Sequence, residues 1–106
     1  MNNRYIYALM FDRDDVTDFK KLHDELVSKR CIVNWFHYIK SSYILVSDLS
    51  TANSLDSEIS DIFNNKDYLL VAIDLKDSQG WLPEKAWQWI KRQTALLLLK
   101  MRFMRD

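Results

Sequence analysis

The stretch CIVNWFHYIKSSYILVS, residues 31–47, decides how this chain folds. Cys31 to Ile39 and Tyr43 to Ser47 are rich in β-branched and aromatic residues, the composition that suits a pleated, half-buried surface. Lys40-Ser41-Ser42 between them is too short for a crossover, so the two runs form an antiparallel hairpin, the second and third strands. Upstream, Val16, Phe19, Leu22, Leu26 and Val27 recur at spacings of three and four among Lys, Asp and Glu. That spacing predicts an amphipathic helix capped by Asp14 or Asp15 and ending near Arg30. Before it, Tyr5 to Phe11 is a short aromatic and aliphatic strand stopped by Asp12-Arg13-Asp14-Asp15. Downstream, Ser50 or Asn53 opens a helix with Leu55, Ile59, Ile62 and Phe63 on one side, and Asn64-Asn65 supplies a left-handed stop. Tyr68 to Leu75 reads as a fourth strand.

Strand, helix, strand, strand, helix, strand closes most simply as an α+β, ferredoxin-like βαββαβ sandwich, a four-stranded antiparallel sheet with two helices on one face. Gly80-Trp81-Leu82-Pro83 then turns the chain, and Pro83 suits the first turn of a third helix. Trp87, Ile90, Thr94, Leu97, Met101 and Met104 give that helix its period. With 106 residues there is room for one domain; residues 1–92 hold the sandwich and 93–106 form its basic amphipathic helical tail.

Composition narrows the chemistry. Average usage would give about seven glycines and five prolines in a chain this long; there is one of each. Gly80 alone cannot build a phosphate-cradling loop, a dinucleotide fingerprint or a nucleophile elbow, each of which needs several positions without a Cβ. Cys31 alone allows no internal disulfide, and His23 and His37 lack zinc spacing, so a reducing, cytoplasmic setting is expected. No signal peptide and no membrane span are read, since the longest apolar run, Ala95 to Leu99, falls far short of about 20 residues. Fifteen basic and fifteen acidic side chains cancel. Residues 1–76 hold nine basic and twelve acidic residues, against six and three in 77–106, so the tail is the basic part.

Both faces of the sheet read as apolar. Tyr5, Tyr7, Leu9 and Phe11 alternate with Ile6, Ala8 and Met10, and Tyr68, Leu70 and Ala72 with Leu69, Val71, Ile73 and Leu75. A sheet with helices on one face should turn polar on the other, so either the C-terminal helix or a second copy covers it; a homodimer is the favoured expectation.

The run Trp35-Phe36-His37-Tyr38-Ile39-Lys40-Ser41-Ser42-Tyr43-Ile44-Leu45-Val46, an aliphatic fourth strand ending in Asp74, and Gly80-Trp81-Leu82-Pro83-Glu84-Lys85-Ala86-Trp87-Gln88-Trp89-Ile90 resemble the SinR-like small bacterial and phage proteins over residues 4–92. That group in turn resembles the small CRISPR adaptation subunit and the virulence-associated protein D toxins, ferredoxin-fold homodimers of which some are metal-dependent nucleases. The resemblance implies phage defence or mobile-element conflict as a setting. It also implies that Asp12, at the end of the first strand, could meet its copy across a dimer axis, hold Mg²⁺ and prepare water for phosphodiester attack. The first crossover lacks the arginines of those nucleases, and the C-terminal part reads as helix where the CRISPR subunit adds a strand.

The candidate residues follow. Asp12 is the catalytic and metal-binding candidate, with capping as its structural alternative. His37 is a general-base candidate, or a satisfied buried imidazole. Tyr38, Lys40, Ser41 and Ser42 are binding candidates around the hairpin, close to the end of the first strand and to Asp67. Trp81 and Trp87 would stack on a ligand or lock the last helix down. Lys100, Arg102 and Arg105 would meet a nucleic-acid backbone or a partner groove. Three functions are expected in order: a non-catalytic homodimeric binding protein for a protein or nucleic-acid partner, with no cofactor; a Mg²⁺-dependent endonuclease; and a nucleotide or cyclic-oligonucleotide sink.

Overall fold

The computed structural model describes residues 3–104, with side chains through Leu96. The fold is α+β, a four-stranded antiparallel sheet and three helices. In chain order the elements are β1 (Tyr5–Phe11), α1 (Phe19–Val27), β2 (Ile32–Phe36), β3 (Ser42–Ser47), α2 (Ala52–Phe63), β4 (Tyr68–Ala72) and α3 (Glu84–Met104). The strands lie in the order β2-β3-β1-β4. Two compact units divide the chain, the first ending at Ile73 and the second beginning at Asp74.

Register fixes which side chains share a face. Tyr7 pairs with Leu45 and Ala72, Leu9 with Tyr43 and Leu70, and Phe11 with Tyr68. Tyr7, Leu9, Phe11, Tyr43, Leu45 and Ile32 form one core with Leu22 and Leu26 of α1 and Leu55, Ile59 and Phe63 of α2, and Tyr68 and Leu70 pack against it. Both helices therefore pack on the same sheet face, and Ile6, Ala8, Met10, Leu69 and Val71 belong to the opposite one. Phe63 stacks on Tyr68 at 4.4 Å, and the Tyr68 hydroxyl donates to Asp56 of α2. That bond ties the β4 edge to the second helix.

Several element ends differ from the sequence reading. Asp14 and Asp15 do not cap α1: Arg13–Asp15 form a short 3-10 turn capped by Asp12, and Asp18 caps α1 by accepting from the Lys21 N–H at 3.1 Å. Val16 lies in the loop, buried against the core rather than on the helix. The helix ends at Val27, not near Arg30, because Ser28 closes it and the Ile32 N–H donates to Lys29 O to start β2. α2 is capped by Thr51, whose hydroxyl accepts the Ser54 N–H, rather than by Ser50 or Asn53. Asn64, at φ 47 and ψ 57, ends it in the left-handed conformation as read. β2 stops at Phe36 because the chain turns early, and β4 stops at Ala72 although the Ile73 N–H still bonds Ile6 O. In the second unit, Pro83 precedes α3 and its carbonyl accepts the first helical bonds from Ala86 and Trp87.

Candidate functional site

The hairpin positions the site. Ser42 N–H donates to Ile39 O at 3.0 Å to close the turn over Lys40 and Ser41, and Phe11 N–H donates to Ser41 O at 3.0 Å, pinning the turn to the end of β1. Asp12 therefore emerges beside the hairpin, as the topology predicts. Its carboxylate Oδ1 accepts the Asp14 N–H at 3.0 Å, so one oxygen is committed to the turn. Lys40 and Ser41 are exposed and Ser42 is half-buried.

Alternation splits the hairpin's large side chains. Phe36 and Tyr38 stack on each other at 6.4 Å with planes 13° apart, while His37 faces the other way and lies on Tyr43 at 4.3 Å and 19°. The His37 Nδ1 sits 2.8 Å from Ser42 O. A carbonyl only accepts, so Nδ1 carries the hydrogen and the neutral ring keeps its lone pair on Nε2. Trp35, Tyr38 and Ile39 are 38%, 54% and 57% exposed, Trp35 on the His37 face of the hairpin and Tyr38 on the Phe36 face.

On the α1 side of the hairpin lies a cluster that the sequence reading did not single out. The Tyr43 hydroxyl, on a fully buried side chain, is 2.6 Å from His23 Nδ1 of α1. Burial pushes the Tyr43 pKa up to about 12, against a smaller opposing pull from the Arg13 charge. At neutral pH the phenol is protonated, and His23 is the only acceptor its hydrogen finds among the described residues. His23 also meets Trp35 edge-on at 4.8 Å, and Phe19 lies 5.0 Å from His37. The Arg13 guanidinium covers the outer face of Phe19 at 4.3 Å and donates to Val16 O. Both histidines of the chain thus converge on one buried tyrosine. The signal was present in spacing: Phe19 and His23 are four apart on α1, and Trp35 and His37 two apart on the hairpin, so each pair shares a face.

The remaining candidates fall elsewhere. Trp81 is 98% exposed. Trp87 is half-buried and, with Lys76, Lys91 and Ile90, walls a groove of about 600 Å³ within the second unit. The side chains of Lys100 and Arg102, and the whole of Arg105, lie outside the described residues. Among the described residues no three His, Cys, Asp or Glu side chains gather as a metal site. Mg²⁺ takes near-octahedral oxygen coordination, and within one chain Asp12 offers it one partly committed carboxylate, so that site needs a second chain. Cys31 is a buried free thiol, and no described helix is long and apolar enough to cross a membrane. No family model, curated protein or solved structure matches the chain.

Proposed function

We propose that the protein is a ferredoxin-like binding module that works as a homodimer, without catalysis, and engages a protein partner through the exposed Tyr38–Ile39 tip of its β2–β3 hairpin. The element order and the sheet order β2-β3-β1-β4, antiparallel throughout, support the fold assignment. The observation that carries the function is the exposure of Tyr38 and Ile39 next to a hairpin turn that is hydrogen-bonded to the end of β1, with Trp35 exposed on the other face. Aromatic residues held on such a frame make anchors at low entropic cost, because their rotamers are already restricted. Stacking of Tyr38 on Phe36 supplies that restriction. Asp12, the residue on which a nuclease would depend, serves as a cap. A nucleic-acid partner finds one lysine, Lys40, on this hairpin, in a chain of zero net charge, and is the weaker reading.

A photo-crosslinking side chain at position 38, compared with one at the exposed Lys20 of α1, tests the reading in cells that make the protein. A discrete heteromeric protein adduct from position 38, lost on Trp35→Ala and Ile39→Ser, is expected. Adducts to nucleic acid, or identical adducts from both positions, would overturn it.

A further inference from the structure

The two edges of the sheet are built differently. β2 carries a bulge between Ile32 and Asn34, and Asn34 Oδ1 accepts the Trp35 N–H at 2.8 Å. Bulges are a common means by which natural edges avoid templating another strand. β4, Tyr68-Leu69-Leu70-Val71-Ala72, pairs with β1 in unbroken register and contains no proline and no charge. Ile73 N–H donates to Ile6 O at 3.0 Å, which sets the parity of the ladder. Residues 69, 71 and 73 turn their main-chain groups toward β1, and Tyr68, Leu70 and Ala72 turn theirs outward. Among the described residues no hydrogen bond reaches those outward backbone groups. Leu69 is 57% exposed on the same strand.

We infer that a second copy of this chain docks on β4, antiparallel, about a two-fold axis at Leu70; this rests on the homodimeric reading above and names its interface. Parity allows it, since outward-facing residues then meet outward-facing residues. Leu70 opposes the partner's Leu70, Tyr68 the partner's Ala72, and Ala72 the partner's Tyr68, each pair exchanging two N–H···O bonds. Leu69 falls opposite the partner's Val71 in a non-hydrogen-bonded pair, where side chains approach most closely and apolar contact is best made.

Charge selects the axis. With the axis at Leu70, the register continued past the strand ends sets Lys66 opposite the partner's Asp74, a carboxylate that lies 3.8 Å from Lys76 in its own chain, and symmetry repeats the pair. Moved one residue on, to Val71, it would set Asp74 against the partner's Tyr68 and leave Lys66 facing no carboxylate. Moved one back, to Leu69, it would leave Asp67 facing the partner's apolar Val71. Only the first choice matches opposite charges at the flanks and apolar residues between them. The interface is isologous, as a two-fold dimer requires.

Light scattering behind a sizing column, over a wide concentration range, tests the inference with three variants of the full chain. Wild type is expected at twice the 12.7 kDa chain mass. Ala72→Pro removes an outward N–H without touching the β1 ladder, and Leu69→Lys places a charge at the apolar pair; each is expected to weaken the dimer at least tenfold. Val33→Lys, on β2, is expected to leave it intact. If Ala72→Pro loses its far-ultraviolet circular dichroism, Leu69→Lys decides, because its side chain is exposed. A wild-type monomer at all concentrations would overturn both this interface and the homodimeric reading. A wild-type dimer unaffected by the folded β4 variants would overturn this interface alone, and its loss in Val33→Lys would move the contact to β2.

Discussion

Tyr43 and His23 form an unequal pair, and the inequality predicts how each substitution behaves. Tyr43 is fully buried, whereas His23 is only half-buried. His23→Leu leaves a phenol hydroxyl in the core with no acceptor, an arrangement that costs about 1–3 kcal/mol. Tyr43→Phe removes the hydroxyl itself and leaves His23 free to bond water, so about 1 kcal/mol or less is expected. Urea denaturation of the two variants measures the difference; an equal loss in both would mean that ring packing rather than the hydrogen bond sets the cost. Asp12→Ala removes the acceptor for the Asp14 N–H, at about 0.5–1 kcal/mol. That change is expected in denaturation midpoint only, with no effect on crosslinking from position 38. At this scale the sequence was half legible. The alternation of a strand is enough to turn His37 away from Phe36 and Tyr38, as the structure has it. The convergence of His23 on Tyr43 was not readable, because it joins residues twenty positions apart through the packing of α1 on β3.

Elements were legible where period and punctuation agreed. Alternation in β1 and the three-four spacing of α2 predict the faces that the core uses. The start of α1 was misread because four acidic residues, Asp12, Asp14, Asp15 and Asp18, all satisfy the compositional rule for a cap. Geometry uses two of them in turn, Asp12 for the 3-10 turn and Asp18 for the helix. The ends of β2 and β4 were overextended because apolar composition persists past the point where pairing stops. At the end of α2, Asn64 holds a left-handed conformation, which asparagine tolerates and glycine adopts freely. Asn64→Gly is therefore expected to change stability little, and Asn64→Val to cost about 1 kcal/mol or more. Thermal melts of the two variants check this, and a tolerated valine would show that the αL geometry is not required.

Among the groups that tie the whole molecule to pH, two tyrosines move furthest, and burial also raises Tyr7. A hydrogen bond to Asp56, followed by burial, raises Tyr68 to about 12, and burial raises Tyr43 to about 12. Between the ordinary tyrosine value of about 10 and 12, these two groups keep protons in the folded chain that the unfolded chain has lost, so their contribution to stability is fully present below that window and falls as pH rises through it. Chemical denaturation from pH 8 to 12 should show the fall, reduced in Tyr68→Phe. At the same scale, Cys31 sits where α1 hands over to β2: Ile32 N–H donates to Lys29 O, and Cys31 O accepts from the Asp48 N–H. Burial raises its thiol pKa, so it is poor in thiolate as well as shielded. The chain therefore carries a built-in clock for its own opening, because a thiol reagent can react only in molecules that have transiently let that junction go. A reaction rate at least about a thousandfold below that of the urea-unfolded chain, rising with urea at the slope of global unfolding, would mark Cys31 as part of the last region to open. A fast rate insensitive to urea would instead place the earliest breathing of the protein at the seam between its first helix and its hairpin.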